Sequence, residues 1–227
     1  MVVSPLIELE ATQPEIIYPE SDGKPIADNT KQFEWIATLK GGLDALFADA
    51  PDVFVAGDLF WYPVERHSEI HMAPDVLVVF GRPKGHRGSY KQWEEAGIPP
   101  QVVFEVLSPG NTVSEMHRKY NFYEQFDVEE YYLYDPENGL LNGWRRVGEH
   151  LRPIGKMRGW KSPRLGITFD LKDADLVLMR PDGRRVESYV EIERAREQAQ
   201  ERAEQAEARA ARLAARLRDL GVSEEEA

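Results

Sequence analysis

Cysteine is absent from this sequence of 227 residues. Disulfides and thiolate metal sites are therefore excluded, and any bound metal must sit on oxygen or imidazole. Long apolar runs are missing as well, so no stretch is suited to span a bilayer. The opening "MVVSPLIELEATQPE" has neither the basic start nor the apolar run of a signal peptide, and a soluble cytoplasmic protein is expected. Positive charge is scarce. Lys and Arg number 28 against 40 Asp and Glu, a formal net charge of -12. That balance argues against a broad basic nucleic-acid surface, although a bound divalent cation would offset it locally.

The length suits one globular domain with an appendage and can enclose a sizeable core. Residues 1–27 carry four prolines and little periodicity, as an extended arm would. A helix is predicted next, with Asp28, Asn29 or Thr30 as its cap and Phe33, Ile36, Leu39, Leu43, Leu46 and Phe47 along one face. "VFVAGDLFWYP" (53–63) reads as a strand followed by a polar turn and the opening of another. "PDVLVVF" (74–80) and "QVVFEVLS" (101–108) are continuous apolar runs of the kind buried on both faces of a sheet. Between them lies a Gly- and Pro-rich connector, 81–100. A turn at Pro109-Gly110 leads to a second helix starting near Thr112 or Ser114, and "EEYYLYDP" (129–136) is a fourth strand. Short β-like runs over 137–190 are expected to form hairpins extending the sheet. The fold class is α/β, an αβββαβ core with a mixed sheet.

Two units are expected, a globular domain over 1–190 and a helical tail over 191–227. From Glu191 onward the composition shifts to Ala, Glu, Arg and Gln. Ala199, Ala206, Leu213 and Leu220 recur every seventh residue, as do Ala203, Ala210 and Leu217. Such a seam predicts a coiled coil and a homodimer, against the plainer possibility of a solvated single helix. Alanine knobs are small, so the tail alone is not expected to hold the dimer.

Three ionisable residues sit where apolar ones belong. Asp75 opens one buried strand, and Glu105 interrupts the next. An isolated buried carboxylate is costly unless it is paired or holds a metal. Antiparallel pairing of these strands would bring the two acids together, able to share a divalent ion that keeps several waters, such as Mg²⁺. The structural alternative has Asp75 capping a turn and Glu105 pairing with an arginine. Lys119 falls on the same face of the second helix as Met116, Tyr120, Tyr123 and Phe126. It either snorkels to solvent or brings its ammonium to the two acids, where it would assist an attacking water and stabilise charge on a phosphate.

The element order, with "PD" opening one strand and an acid inside the next, resembles the PD-(D/E)XK nuclease superfamily. More closely, "APDVLVVF", "VVFEVLSPGNT", "EMHRKYNFYEQF" and "VEEYYLYDP" resemble the Uma-type restriction endonuclease family over about residues 30–136. The resemblance implies a restriction-endonuclease-like core that hydrolyses DNA phosphodiester bonds with Mg²⁺ (or Mn²⁺). It implies Asp75 and Glu105 as metal ligands and Lys119 as the catalytic cation. Tyr123, one turn on, is expected to position Lys119. The superfamily lysine two residues after the second acid is replaced here by Leu107, and Lys119 on the following helix takes its place. Glu115 stands where the family often has Asp. An acid on the first helix sometimes supports such sites, and Glu34 is the residue available.

A second class of function fits the acidic balance: a catalytically silent nuclease-fold module that binds a partner or dimerises through its tail. The connector gathers Arg82, Lys84, His86, Arg87, Lys91 and Trp93 beside the expected site, where they either track a DNA backbone or form a polar loop. His67 and His71 are left out of the metal set, because four-residue spacing brings ligands together on a helix and not in a turn.

Overall fold

The computed structural model of the chain describes residues 16–21, 23, 27–172 and 175–219. Most of the proline-rich arm lies outside the described residues. Helix α1 (Thr30–Leu46) starts at Asn29, whose side chain accepts the Gln32 amide at 2.8 Å. Its buried residues are Gln32, Ile36, Leu39 and Leu43, spaced by four, three and four. Phe33, expected on that face, is 52% exposed. The helix is turned so that a glutamine faces inward, and both ends of its amide are satisfied. Nε2 donates to the Val106 carbonyl and Oε1 accepts the Asp28 amide, each at 2.8 Å.

The strands that follow are β1 (Val53–Gly57), β2 (Trp61–Tyr62), β3 (Val76–Phe80), β4 (Tyr90–Lys91) and β5 (Val102–Val106). Helix α2 (Val113–Gln125) and strand β6 (Glu130–Asp135) complete the expected αβββαβ order. The main sheet runs β1-β3-β5-β6 and continues into β7 (Leu140–Val147) and β8 (His150–Pro153). Within this sheet the β5–β6 pair is the parallel one, and α2 is the crossover that parallel neighbours require. The remaining neighbours are antiparallel, so the sheet is mixed.

The two-residue period of the central strands sorts their side chains into two cores. Val76, Val78, Val102, Phe104, Tyr132 and Tyr134 pack with α1. Leu77, Val79, Val103 and Tyr131 pack with Tyr123 of α2 and with the β2–β4 ribbon. With both faces covered, Val76 to Val79 are fully buried, which accounts for the unbroken apolar run.

The C-terminal β-rich region differs from the expectation. Only β7 and β8 extend the main sheet; β9 (Trp160–Lys161), β10 (Thr168–Lys172) and β11 (Asp175–Met179) form a separate three-stranded sheet. Phe169 of β10 lies 4.4 Å from the Tyr132 ring and 6.2 Å from Phe104, so this small sheet covers the α1 side. Val186 then reaches α1, where a Cβ on Gly42 would lie 2.2 Å from its methyl group; only glycine permits that approach. Ser188 and Glu191 form a reciprocal capping box, at 2.9 and 3.4 Å, at the start of α3 (Tyr189–Asp219). No residue of α3 is buried, and its seam leucines Leu213 and Leu217 are 55% and 47% exposed. Leu220, the last seam position, lies outside the described residues.

Candidate active site

Val76 of β3 pairs with Phe104 of β5 in antiparallel register. One further step along both strands sets Asp75 opposite Glu105, on the α2 side of the sheet. Asp75 is 8% exposed and Glu105 only 2%. Asp75 does not cap a turn: its Oδ2 accepts the Val106 amide at 2.6 Å, extending the ladder through a side chain. Among the described residues its other oxygen accepts no hydrogen bond.

Glu105 pairs with Lys119 rather than with an arginine. Lys119 Nζ lies 2.6 Å from Glu105 Oε2, and the Tyr123 hydroxyl donates to Oε1. Thr112 accepts the Glu115 amide at 3.2 Å and so fixes the start of α2. Residues 119 and 123 are then stacked one turn apart on the inner face. The lysine is drawn inward, its side chain 12% exposed. Tyr123 therefore holds Glu105, not Lys119 as the sequence suggested; the carboxylate is where both side chains converge.

The charges are not balanced. Burial drives Asp75 well above the usual carboxylate range, and the Glu105 charge adds to it. Asp58, at the end of β1, pushes the same way, while Lys119 and the Val106 amide oppose. For Lys119, burial alone favours the neutral amine, but Glu105 and Asp75 outweigh it and raise its pKa above the ordinary lysine value. Burial, then Glu105, keeps Tyr123 a neutral phenol. The site thus holds two carboxylates, one ammonium and a hydroxyl donor.

Asp75 and Lys119 line a cleft of about 710 Å³, with Glu105 and Tyr123 buried behind them. Its walls include Asp28, Gln32, Asp58, Glu115 and Arg118 besides Asp75 and Lys119, with Glu20 and Glu69 also contributing. Glu34 does not belong to it. That residue is exposed on α1, two positions past Gln32 and therefore rotated off the inner face. Gln32 is the first-helix residue that reaches the cleft. Sequence reasoning missed it, although its spacing with Ile36, Leu39 and Leu43 carries the signal. Asp28, expected at most as a cap, accepts the Ser108 hydroxyl on Oδ2 at 2.5 Å and ties the start of α1 to the loop before α2.

Of the connector cations, Arg82, Lys84 and Arg87 are elsewhere. Gly81 and Arg82 bond to Asp52, at the end of β3 remote from Asp75. A five-residue strand at 3.4 Å per residue puts roughly 17 Å between these ends. Arg82 and Arg87 both bind Glu95 at 2.6 Å, and Lys84 caps α1 through the Phe47 and Ala48 carbonyls. Lys91 pairs with Glu94 at 3.4 Å, and Trp93 packs on Tyr18. His71 does line the cleft, with Nδ1 2.8 Å from the Ser68 carbonyl, whereas His67 pairs with Glu69.

Among the described residues no group of three or more His, Cys, Asp or Glu is arranged to hold a metal ion. The donor set still suits a hard cation held by two carboxylates, with water or substrate oxygens completing its shell. The surplus negative charge at Asp75 and its uncommitted oxygen fit that role. Among the described residues no helix is long and apolar enough to cross a membrane.

No curated protein matches the chain. It is similar to a solved structure described as "a putative nuclease belonging to DUF820" from Anabaena variabilis ATCC 29413, at 12% identity and a TM-score of 0.44, covering 60% of this chain and 72% of that one. Residues 7–171 match the Uma2 family, described as "Putative restriction endonuclease". That match takes in α1, the main sheet and the whole Asp75–Glu105–Lys119 cluster, and the chain belongs to this restriction-endonuclease-like family.

Proposed function

We propose that this chain is a divalent-metal-dependent endonuclease that hydrolyses DNA phosphodiester bonds in the cytoplasm. The observation that carries this is the buried Asp75–Glu105–Lys119 cluster, of which Asp75 and Lys119 line the cleft and Glu105 is held behind them by Lys119. Asp75 and Glu105 are the ligands for Mg²⁺ (or Mn²⁺), which when bound would polarise a phosphoryl oxygen and make water a better nucleophile. Water adds to phosphorus in line with the departing sugar oxygen. The new P–O bond forms as the old one breaks, giving a phosphate monoester and a hydroxyl. Lys119 stays protonated beside both acids, so its ammonium is placed to stabilise charge on the non-bridging oxygens. Tyr123 fixes Glu105, the Val106 amide fixes Asp75, and Gln32 steadies the same strand end through the Val106 carbonyl. Arg118, on the cleft wall, provides a second cation for a phosphate.

The test is an assay of the full chain against supercoiled, linear and single-stranded DNA, with Mg²⁺ or Mn²⁺ and with chelator. Cleavage that requires metal and disappears in Asp75→Ala is expected. Failure of the native chain to cut any DNA form with either metal would overturn the assignment.

A second possibility, a silent module acting through its tail, draws on a separate observation. The cleft walls carry Glu20, Asp28, Asp58, Glu69, Asp75 and Glu115 against Arg118 and Lys119, an unwelcoming field for a polyanion unless cations enter with it. In either case we propose that residues 191–227 form a tail separate from the 1–190 domain and pair with a second copy through the exposed seam of α3.

A further inference from the structure

Tyr131 is 1% exposed, and its hydroxyl has no hydrogen-bond partner among the described residues. Buried side-chain polar atoms are nearly always bonded, and leaving one unmet is costly. Among the described residues only Arg180 Nε shares this condition. The site around Tyr131 makes its isolation specific.

Tyr131 lies on β6 opposite Val103 of β5, so its side chain projects to the same face as Val103 and Glu105. Its ring meets that of Tyr123 edge-on, with centroids 5.1 Å apart, and stacks on Trp144 at 4.9 Å. Two phenols thus approach the carboxylates together, yet only that of Tyr123 is bonded to Glu105. Burial, followed by the Glu105 and Asp75 charges, raises the ionisation of Tyr131 far above its ordinary value. The group therefore remains an O–H donor within the field of two anions.

A carboxylate offers about four lone-pair positions. In the present arrangement Lys119 and Tyr123 take one on each Glu105 oxygen. A cation bound by Glu105 would compete with the Lys119 ammonium for Oε2. We propose that Tyr131 is a positioning residue of the cation-bound site, its hydroxyl donating to Glu105 once the cation draws that carboxylate away from Lys119. The unmet donor would then belong to the metal-free state, and its satisfaction would favour cation binding. Hydrogen bonds behind a metal ligand typically change metal affinity 10- to 100-fold.

This inference rests on the assignment of Glu105 as a ligand, and the experiment separates the two. Mn²⁺ is titrated calorimetrically into the full-length native protein, Tyr131→Phe and Tyr123→Phe, with thermal unfolding of each followed in chelator. Tyr131→Phe keeps the packed ring. It should bind Mn²⁺ about 10-fold more weakly, with an unfolding midpoint in chelator unchanged or raised. Tyr123→Phe should lower both, because its hydroxyl is already bonded to Glu105 without metal. Equal Mn²⁺ affinity in Tyr131→Phe and native protein would overturn the role of Tyr131 and leave the site standing. A lowered midpoint of Tyr131→Phe in chelator would also overturn it, since the hydroxyl would already be bonded in the metal-free state. No Mn²⁺ binding by the native protein would overturn the site and the inference together.

Discussion

The two ends of the central strands treat buried charge in opposite ways. At the end remote from the cleft, Glu95 is bracketed by Arg82 and Arg87, both at 2.6 Å. Burial would raise its pKa, but the two guanidinium groups prevail and hold it below the usual carboxylate range. At the cleft end, Asp75 and Glu105 share Lys119, and Asp75 is driven upward. Two cations per carboxylate make a structural clamp; two carboxylates per cation make a place that a further cation would relieve. Local charge ratio, more than the presence of buried ions, distinguishes a site from a brace.

The largest effect is expected at Lys119, because it is the cation that holds the cleft end together. Lys119→Met would leave Glu105 buried without a counter-charge. Breaking a buried pair in this way costs about 3–5 kcal/mol, and denaturant unfolding in chelator should show such a loss. Loss of a positioned catalytic group should reduce DNA cleavage by ~10²–10⁴. Mn²⁺ should recover more of the stability of this variant than of the native protein, because the ion would replace the missing charge. A variant as stable as the native protein would show that the carboxylates do not need the ammonium.

Glu95→Gln probes the clamp. Removing that charge leaves Arg82 and Arg87 facing each other and should cost about 1–3 kcal/mol, with Mn²⁺ affinity unchanged. The pH dependence sharpens the contrast. Glu95, with its pKa lowered in the fold, stabilises the protein above the ordinary carboxylate range and loses that contribution as pH falls through its depressed value. Asp75 has the opposite sign. With its pKa raised, the folded state binds the proton more tightly, so stability falls as pH rises from the ordinary carboxylate range through its elevated value. Stability curves of Glu95→Gln and Asp75→Asn in chelator should therefore lose opposite slopes. At neutral pH, Asp75→Asn should leave the thermal midpoint unchanged or raised, since an amide oxygen can still accept the Val106 amide. It should also abolish any stabilisation by Mn²⁺. A large loss of stability would make Asp75 a structural acid.

The cleft end was legible because its residues violate the pattern around them. An acid in an apolar strand and a lysine on an inner helical face stand out by what burial would cost them. The clamp was not legible, since Arg82, Arg87 and Glu95 look like an ordinary charged loop until the chain folds back at Gly97. Gln32 was hidden because an uncharged amide near a helix start reads as solvent-facing. Tyr131 was hidden because a tyrosine in a strand reads as core. The separate β9–β11 sheet escaped because short strands punctuated by Gly and Pro do not specify which sheet they join. Sequence pattern discloses which residues are costly to bury; pairing between distant segments decides how that cost is met.

The smallest effect on the cleft should come from the tail, where charge plays no comparable part. The inner face of α1 is buried, whereas α3 has no buried residue and exposes Ile192, Leu213 and Leu217 at 47%, 55% and 47%. Covering three such side chains together with the seam alanines is a modest gain at about 25 cal/mol per Å². A second copy is the simplest cover, because the same seam then serves both partners. Small knobs make the pairing weak, so truncation after Val190 should shift a dimer toward monomer while leaving the midpoint of the remaining domain within a few degrees. Ser188 remains after that cut, but Glu191 does not, and the capping box disappears with the helix it starts. Val186 stays seated on α1 beside Gly42. Light scattering that finds the full chain monomeric at high concentration would remove the paired tail.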